Sequence, residues 1–142
     1  MIDESLREFV RRRAGDRCEY CRLPQHAVDG RFHVEHVIAQ QHRQDDGPAN
    51  LALACARCNL QKGTNLASVD PVTGQVVPLF NPRTDLWSEH FAFRGSEIRG
   101  LTPTGRATVR LLQMNARHRV ELRSSLLAAG SASGDPLHRM AW

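Results

Sequence analysis

Four cysteines in two pairs, Cys18-Glu19-Tyr20-Cys21 and Cys55-Ala56-Arg57-Cys58, constrain this 142-residue chain more than any other feature, and no cysteine lies outside them. Two intervening residues let both thiolates of a pair reach one ion across a tight knuckle. Two knuckles complete a tetrahedral four-sulfur shell with no open position, the arrangement of a structural zinc site. The competing readings are weaker. A redox CxxC motif needs no second copy, and a reducing compartment disfavours stable disulfides. Cys18, Cys21, Cys55 and Cys58 are therefore expected to hold zinc. A mean hydropathy of -0.43 and 6% aromatic residues point to a modest apolar core, which such a device would reinforce.

The segments around the knuckles have their own signals. Residues 3–14 place Leu6, Phe9, Val10 and Ala14 on one face of a helix, with Asp3 or Ser5 as the cap and Ser5 and Glu8 spaced as a capping box. Arg11, Arg12 and Arg13 fall in its last turn, opposing the helix dipole favourably, and Gly15 suits the stop. Between the knuckles, residues 31–38 alternate imperfectly after Asp29-Gly30 and predict a strand. The polar stretch 40–49, with Gly47-Pro48, predicts a loop. Leu51-Ala52-Leu53-Ala54 predicts a second strand, and a short helix is expected from Asn59 to about Leu66.

This order, with Glu35-His36, Asn50-Leu51, Cys58-Asn59 and Lys62-Gly63 at its fixed points, resembles the HNH endonuclease family and its ββα-metal core. The resemblance covers residues 15–66. The following segment, with Asp70-Pro71 and Leu79-Phe80-Asn81-Pro82, resembles a bacterial subgroup of HNH proteins that carries a C-terminal extension. The resemblance implies that His36 is the general base and Glu35 the acidic metal ligand, a place usually taken by Asp. It implies that Asn50 steadies the loop bearing the base, and that Asn59 completes the metal site. The chain departs from the family pattern at Ala39, where proline is common, and at Arg43-Gln44, where Gly-Gly is common.

The chemistry of these side chains agrees with the implied roles. Phosphodiester hydrolysis needs an activated water, charge stabilisation at the phosphoryl oxygens and help for the departing 3′ oxygen. Imidazole titrates near neutral pH and can take the water's proton. One carboxylate and one amide oxygen are hard ligands, which suit Mg²⁺ or Mn²⁺ better than zinc and leave positions for water and phosphate. Strict strand alternation would send Glu35 and His36 to opposite faces, so one of them is expected at a strand end or bulge. His33 shares a strand face with Glu35 by parity, either as an accessory ligand or as a half-buried strand residue. His42 either approaches a phosphate or is a solvated loop residue. Lys62 either neutralises a phosphate or supports the end of its helix. His26, His90, His118 and His138 fit no motif.

Beyond the core, Asp70 to Gly74 reads as a turn and residues 75–80 as extended. Gly95-Ser96 fits a two-residue hairpin loop, in a register that pairs Phe93 with Ile98 and Arg94 with Glu97. Thr102-Pro103 has the form of a helix start, with Val109, Leu112 and Ala116 on one face and a second helix from about Arg117 to Ala129. A net charge of +4 and a pI near 9.3 favour polyanionic partners, and Lys62 is the only lysine. Arg106, Arg110 and Arg117, followed by Arg119 and Arg123, could face DNA phosphates, although a solvated face is the commoner meaning.

The expectation is a single α+β domain: a zinc-stabilised ββα-metal core over residues 1–67, an extension of hairpin and helices over 68–129, and a tail over 130–142. The implied function is metal-dependent cleavage of DNA, with RNA not excluded. The alternative is a zinc-stabilised nucleic-acid-binding module without catalysis, which would need the four cysteines but not Glu35, His36 and Asn59. No apolar run is long enough to span a membrane and the N-terminus lacks the layout of a secretion signal, so a cytoplasmic protein is expected.

Overall fold

The structure, a computed structural model, describes residues 2–133. It is an α+β arrangement of helices and three two-stranded antiparallel sheets. No helix among the described residues is long and apolar enough to cross a membrane.

Helix α1 spans Glu4–Arg13 and is capped by Asp3, whose carboxylate accepts from the Leu6 amide at 2.8 Å. It buries Val10 against the core. Phe9, expected on the same face, is instead 48% exposed beneath the Arg13 guanidinium, 5.3 Å from its ring centre. The first knuckle follows the turn at Gly15 and Asp16, both at positive φ. Strand β1 (His33–His36) then pairs with β2 (Leu51–Ala54) in the register His33–Ala54 to His36–Leu51. All four residues of β2 are buried.

Helix α2 spans Ala56–Lys62, earlier than the expected Asn59 to Leu66. The reason is an unusual cap. Cys55 stands at the N-cap and its sulfur accepts from the Cys58 amide at 3.4 Å, so the second knuckle is itself the first turn of the helix. Gly63, at φ 52°, ends it one turn after Asn59, to whose carbonyl its amide donates at 3.1 Å. Two strands, one helix and a sulfur cluster thus form the β-β-α unit that the sequence pattern implied.

The extension opens with a hairpin, β3 (Ala67–Val69) with β4 (Val76–Pro78), closed over the Asp70–Gly74 turn. The Asp70 carboxylate accepts from the Val72 amide and the Thr73 hydroxyl within that turn. After the short helix α3 (Trp87–His90), β5 (Phe91–Arg94) and β6 (Glu97–Gly100) pair Phe93 with Ile98 and Arg94 with Glu97, the register set by the Gly95-Ser96 loop. Thr102 caps α4 (Pro103–Leu111) by accepting from the Gly105 amide at 3.0 Å. Helix α5 spans Arg117–Ser133, so it continues past the expected end at Ala129. The remainder of the expected tail lies outside the described residues.

One hydrophobic cluster joins these parts. It includes Val10 of α1, Leu51 and Leu53 of β2, and Phe80, Trp87, Phe91, Leu112 and Met114 of the extension. Its aromatic members meet edge to face, Phe80 with Tyr20 at 6.3 Å and with Phe91 at 5.1 Å between ring centres. The Trp87 indole donates to the Tyr20 carbonyl at 2.8 Å. Since Tyr20 lies inside the first knuckle, the extension packs directly on the frame of the zinc site.

Candidate active site and zinc centre

The four cysteine sulfurs lie within 4.8 Å of one another and all four residues are buried. Cys21 and Cys55 sulfurs are 3.7 Å apart. Zinc–sulfur bonds of about 2.3 Å in a tetrahedron require roughly 3.8 Å between sulfurs, so the cluster has the dimensions of a tetrathiolate zinc site. Amides at Cys21 and Cys58 point at the Cys18 and Cys55 sulfurs, at 3.5 and 3.4 Å. The residues present fit a structural zinc ion.

Each knuckle also delivers a residue to a second site. From the first, the Tyr20 hydroxyl donates to Glu35 Oε1. From the helix that the second knuckle begins come Asn59 and Lys62. Lys62 is 2% exposed, and its ammonium donates to Glu35 Oε2 at 3.3 Å and to the Val37 carbonyl at 2.9 Å. Glu35 itself is 7% exposed. Burial holds its carboxyl above the ordinary value, against the opposing pull of the Lys62 charge and the Tyr20 hydrogen bond. Burial and the Glu35 charge likewise push the Tyr20 phenol well up, which keeps it a donor.

His36 is the last residue of β1, the strand end that lets it escape alternation. Glu35, His36 and Asn59 therefore line one open pocket of about 530 Å³, together with Val34, Ala39, Gln40, Gln41, Gly63 and Thr64. His36 Nε2 lies 2.7 Å from Asp46 Oδ1. Gln40 donates to the same oxygen at 3.2 Å. Nδ1 of His36 and the side-chain amide of Asn59 have no protein hydrogen bond among the described residues.

Asn50 sits beneath this loop. Its Oδ1 accepts from the Ile38 amide at 2.9 Å, and its Nδ2 donates to the Ile38 and Asp45 carbonyls, both at 3.0 Å. It thus fastens the chain after the histidine to the chain before Asp46. Arg13 of α1 braces the same segment, donating to the carbonyls of Pro48 at 2.9 Å and Leu51 at 2.7 Å.

The oxygen donors fit a hard divalent ion. A carboxylate offers about four lone-pair directions, of which Tyr20 and Lys62 engage two. Glu35 keeps acceptor capacity toward the pocket, and the Asn59 amide oxygen accepts no hydrogen bond from the described residues.

The other histidines and the basic residues are placed differently from the sharper sequence readings. His33 is exposed and does not line the pocket, so it is no accessory ligand there. His42 is exposed, 3.3 Å from the Thr64 carbonyl. Lys62 is a buried partner of Glu35 and not a surface phosphate contact. Arg106 is committed to Asp70 through two hydrogen bonds, at 2.9 and 2.8 Å. Arg119 and Arg123 are buried, so the expected arginine stripe does not exist as one outer face. Tyr20 and Asp46 escaped the sequence reading. Tyr20 lies within a CxxC, where attention goes to the sulfurs, and Asp46 lies in a polar loop with no pattern to mark it.

Two antiparallel strands and a helix, pinned by a tetrathiolate and carrying Glu-His at a strand end opposite Asn, define a zinc-knuckle α+β class with a β-β-α core. Residues 18–65 match the family model described as HNH endonuclease. Comparisons with curated proteins and with solved structures found no match.

Proposed function

We propose that the chain is a metal-dependent endonuclease that hydrolyses phosphodiester bonds of DNA. The observation that carries this reading is the meeting of Glu35, His36 and Asn59 in one open pocket, a convergence that zinc binding alone does not require. In this reading Asp46 accepts from Nε2–H of His36, which fixes the proton on that nitrogen and leaves the Nδ1 lone pair to take a proton from water. Glu35 and Asn59 would hold a divalent ion, Mg²⁺ or Mn²⁺, that supplies positive charge at the phosphoryl and departing oxygens. Tyr20 and Lys62 fix the rotamer of Glu35 and balance its charge. Asn50 and Arg13 keep the loop that carries Asp46 in register with His36. The net charge of +4 favours a polyanionic substrate over a neutral one.

The test is nicking of supercoiled plasmid in Mg²⁺, Mn²⁺ or EDTA by wild type and His36→Ala, matched for folding and zinc content. Metal-dependent nicking by the wild type, reduced by at least about 10²-fold in the variant, is expected. Equal cutting by both proteins would remove His36 as the base. Binding of DNA without cutting by either would favour the zinc-stabilised binding module instead, and RNA would then be offered as substrate.

A further inference from the structure

The tetrathiolate has an internal cation beside it that no part of the matched HNH segment supplies. Arg119 is the third residue of α5, in the extension, and is 2% exposed. Its Nη2 lies 2.9 Å from the Cys58 sulfur and 3.5 Å from the Cys55 sulfur. Its Nη1 donates to the carbonyls of Leu112 and Gln113, at 2.8 and 3.0 Å, which close the end of α4. The planar fork is thus divided between two thiolates and two carbonyls.

Four thiolates around a divalent ion leave a net charge of −2 in the interior. Such a charge is costly unless a buried partner compensates it, and a buried guanidinium is costly unless it meets an anion. Each solves the other's problem. Hydrogen bonds from outer residues to ligating atoms are also a general means of fixing ligand orientation and tuning a metal site.

We propose that Arg119 is a positioning residue of the zinc centre, compensating the charge of the tetrathiolate and donating to the Cys58 and Cys55 sulfurs, so that the C-terminal extension completes a metal site whose ligands all lie in the HNH segment. Arg123, one turn further along α5, is held by the Ser96 carbonyl at 2.7 Å and the Asn115 side chain at 3.2 Å, which fixes the register of the helix that presents Arg119.

The test compares full-length wild type, Arg119→Lys and Arg119→Met, none of which requires nuclease activity to be read. Zinc affinity is measured by competition with a chromogenic chelator, and the sulfur-to-metal charge-transfer band is recorded after loading with Co²⁺. Arg119→Met is expected to bind zinc about 10- to 100-fold less tightly. Loss of the N–H···S hydrogen bonds raises the sulfur donor level, so its Co²⁺ band should move to lower energy. Arg119→Lys keeps the charge but loses the fork, and should recover most of the affinity while retaining part of the band shift. Wild-type zinc affinity together with an unshifted band in Arg119→Met overturns the proposal. If Arg119→Met does not fold, an unshifted band in Arg119→Lys overturns it equally.

Discussion

Glu35 lies between a hydroxyl and an ammonium, and each neighbour carries a different cost of removal. Tyr20→Phe keeps the ring that packs edge-on against Phe80 and takes away only the donor to Oε1. A buried acceptor stripped of its partner costs about 1–3 kcal/mol, so a loss in that range is expected in denaturant unfolding, with zinc content unchanged. Lys62→Met is more severe because it leaves a buried carboxylate without its cation, and about 3–5 kcal/mol is expected. Adding Glu35→Gln to Lys62→Met should restore part of that loss, because the uncompensated charge is then gone. Additive losses in the double variant would show that the pair is not coupled. At this scale the sequence was most informative where a chemical type is rare at its position. Glu-His on a strand and Asn directly after a cysteine are such cases. Tyr20 was not legible, since its role depends on a partner fifteen residues away that only the knuckle's turn brings within reach.

Elements were legible where their ends use ordinary backbone chemistry. Gly95 at φ 61° closes a two-residue loop, and that loop length fixes the Phe93–Ile98 pairing without reference to the rest of the chain. Thr102 and Pro103 mark the start of α4 in the same local way. The start of α2 was not legible because a sulfur takes the place of a hydroxyl or carboxylate as its cap. Strand β3 was hidden because Ala67-Ser68-Val69 is short and mostly exposed, with no apolar face to betray it. The crossing of α4 over α3 and β6 was equally hidden, although two glycines mark it. A Cβ at Gly105 would overlap the His90 carbonyl oxygen, and one at Gly100 would overlap the backbone of Arg106. Both obstacles are main chain, so the helix must lift away to admit a methyl group. Gly105→Ala is expected to cost about 1–3 kcal/mol, read from the denaturation midpoint, although alanine is the better helix former. An unchanged midpoint would mean that the crossing is looser than its geometry implies.

Among the described residues, several arginines fasten one element to another, and Arg119 and Arg123 do so from buried positions. Arg13 ties α1 to the loop and strand around Asn50, and Arg83 ties the extension to Glu19 of the first knuckle. Arg119 joins α5 to the second knuckle, and Arg106 joins α4 to the β3–β4 turn. Composition alone reads such a chain as a polyanion binder, because arginine is usually exposed and nothing local distinguishes an inward-facing one. The Arg106–Asp70 pair gives this reading a pH test. Asp70 is fully buried, and its hydrogen bonds from Arg106 hold its carboxyl well below the ordinary carboxylate range. A carboxyl whose folded value is depressed binds fewer protons folded than unfolded, so its stabilisation is complete above the unfolded value of about 3.9 and fades as pH falls below it. Asp70→Asn removes that contribution at all pH values. Wild type should therefore be the more stable protein between about pH 5 and 7, by a constant margin, and the margin should shrink as pH drops below about 4. Urea titrations of both proteins across that range, with zinc loss followed in parallel, measure the margin directly. A margin that stayed constant down to about pH 3 would mean that Asp70 fastens the turn as a hydrogen-bond acceptor alone, and that its charge contributes nothing to holding α4 in place.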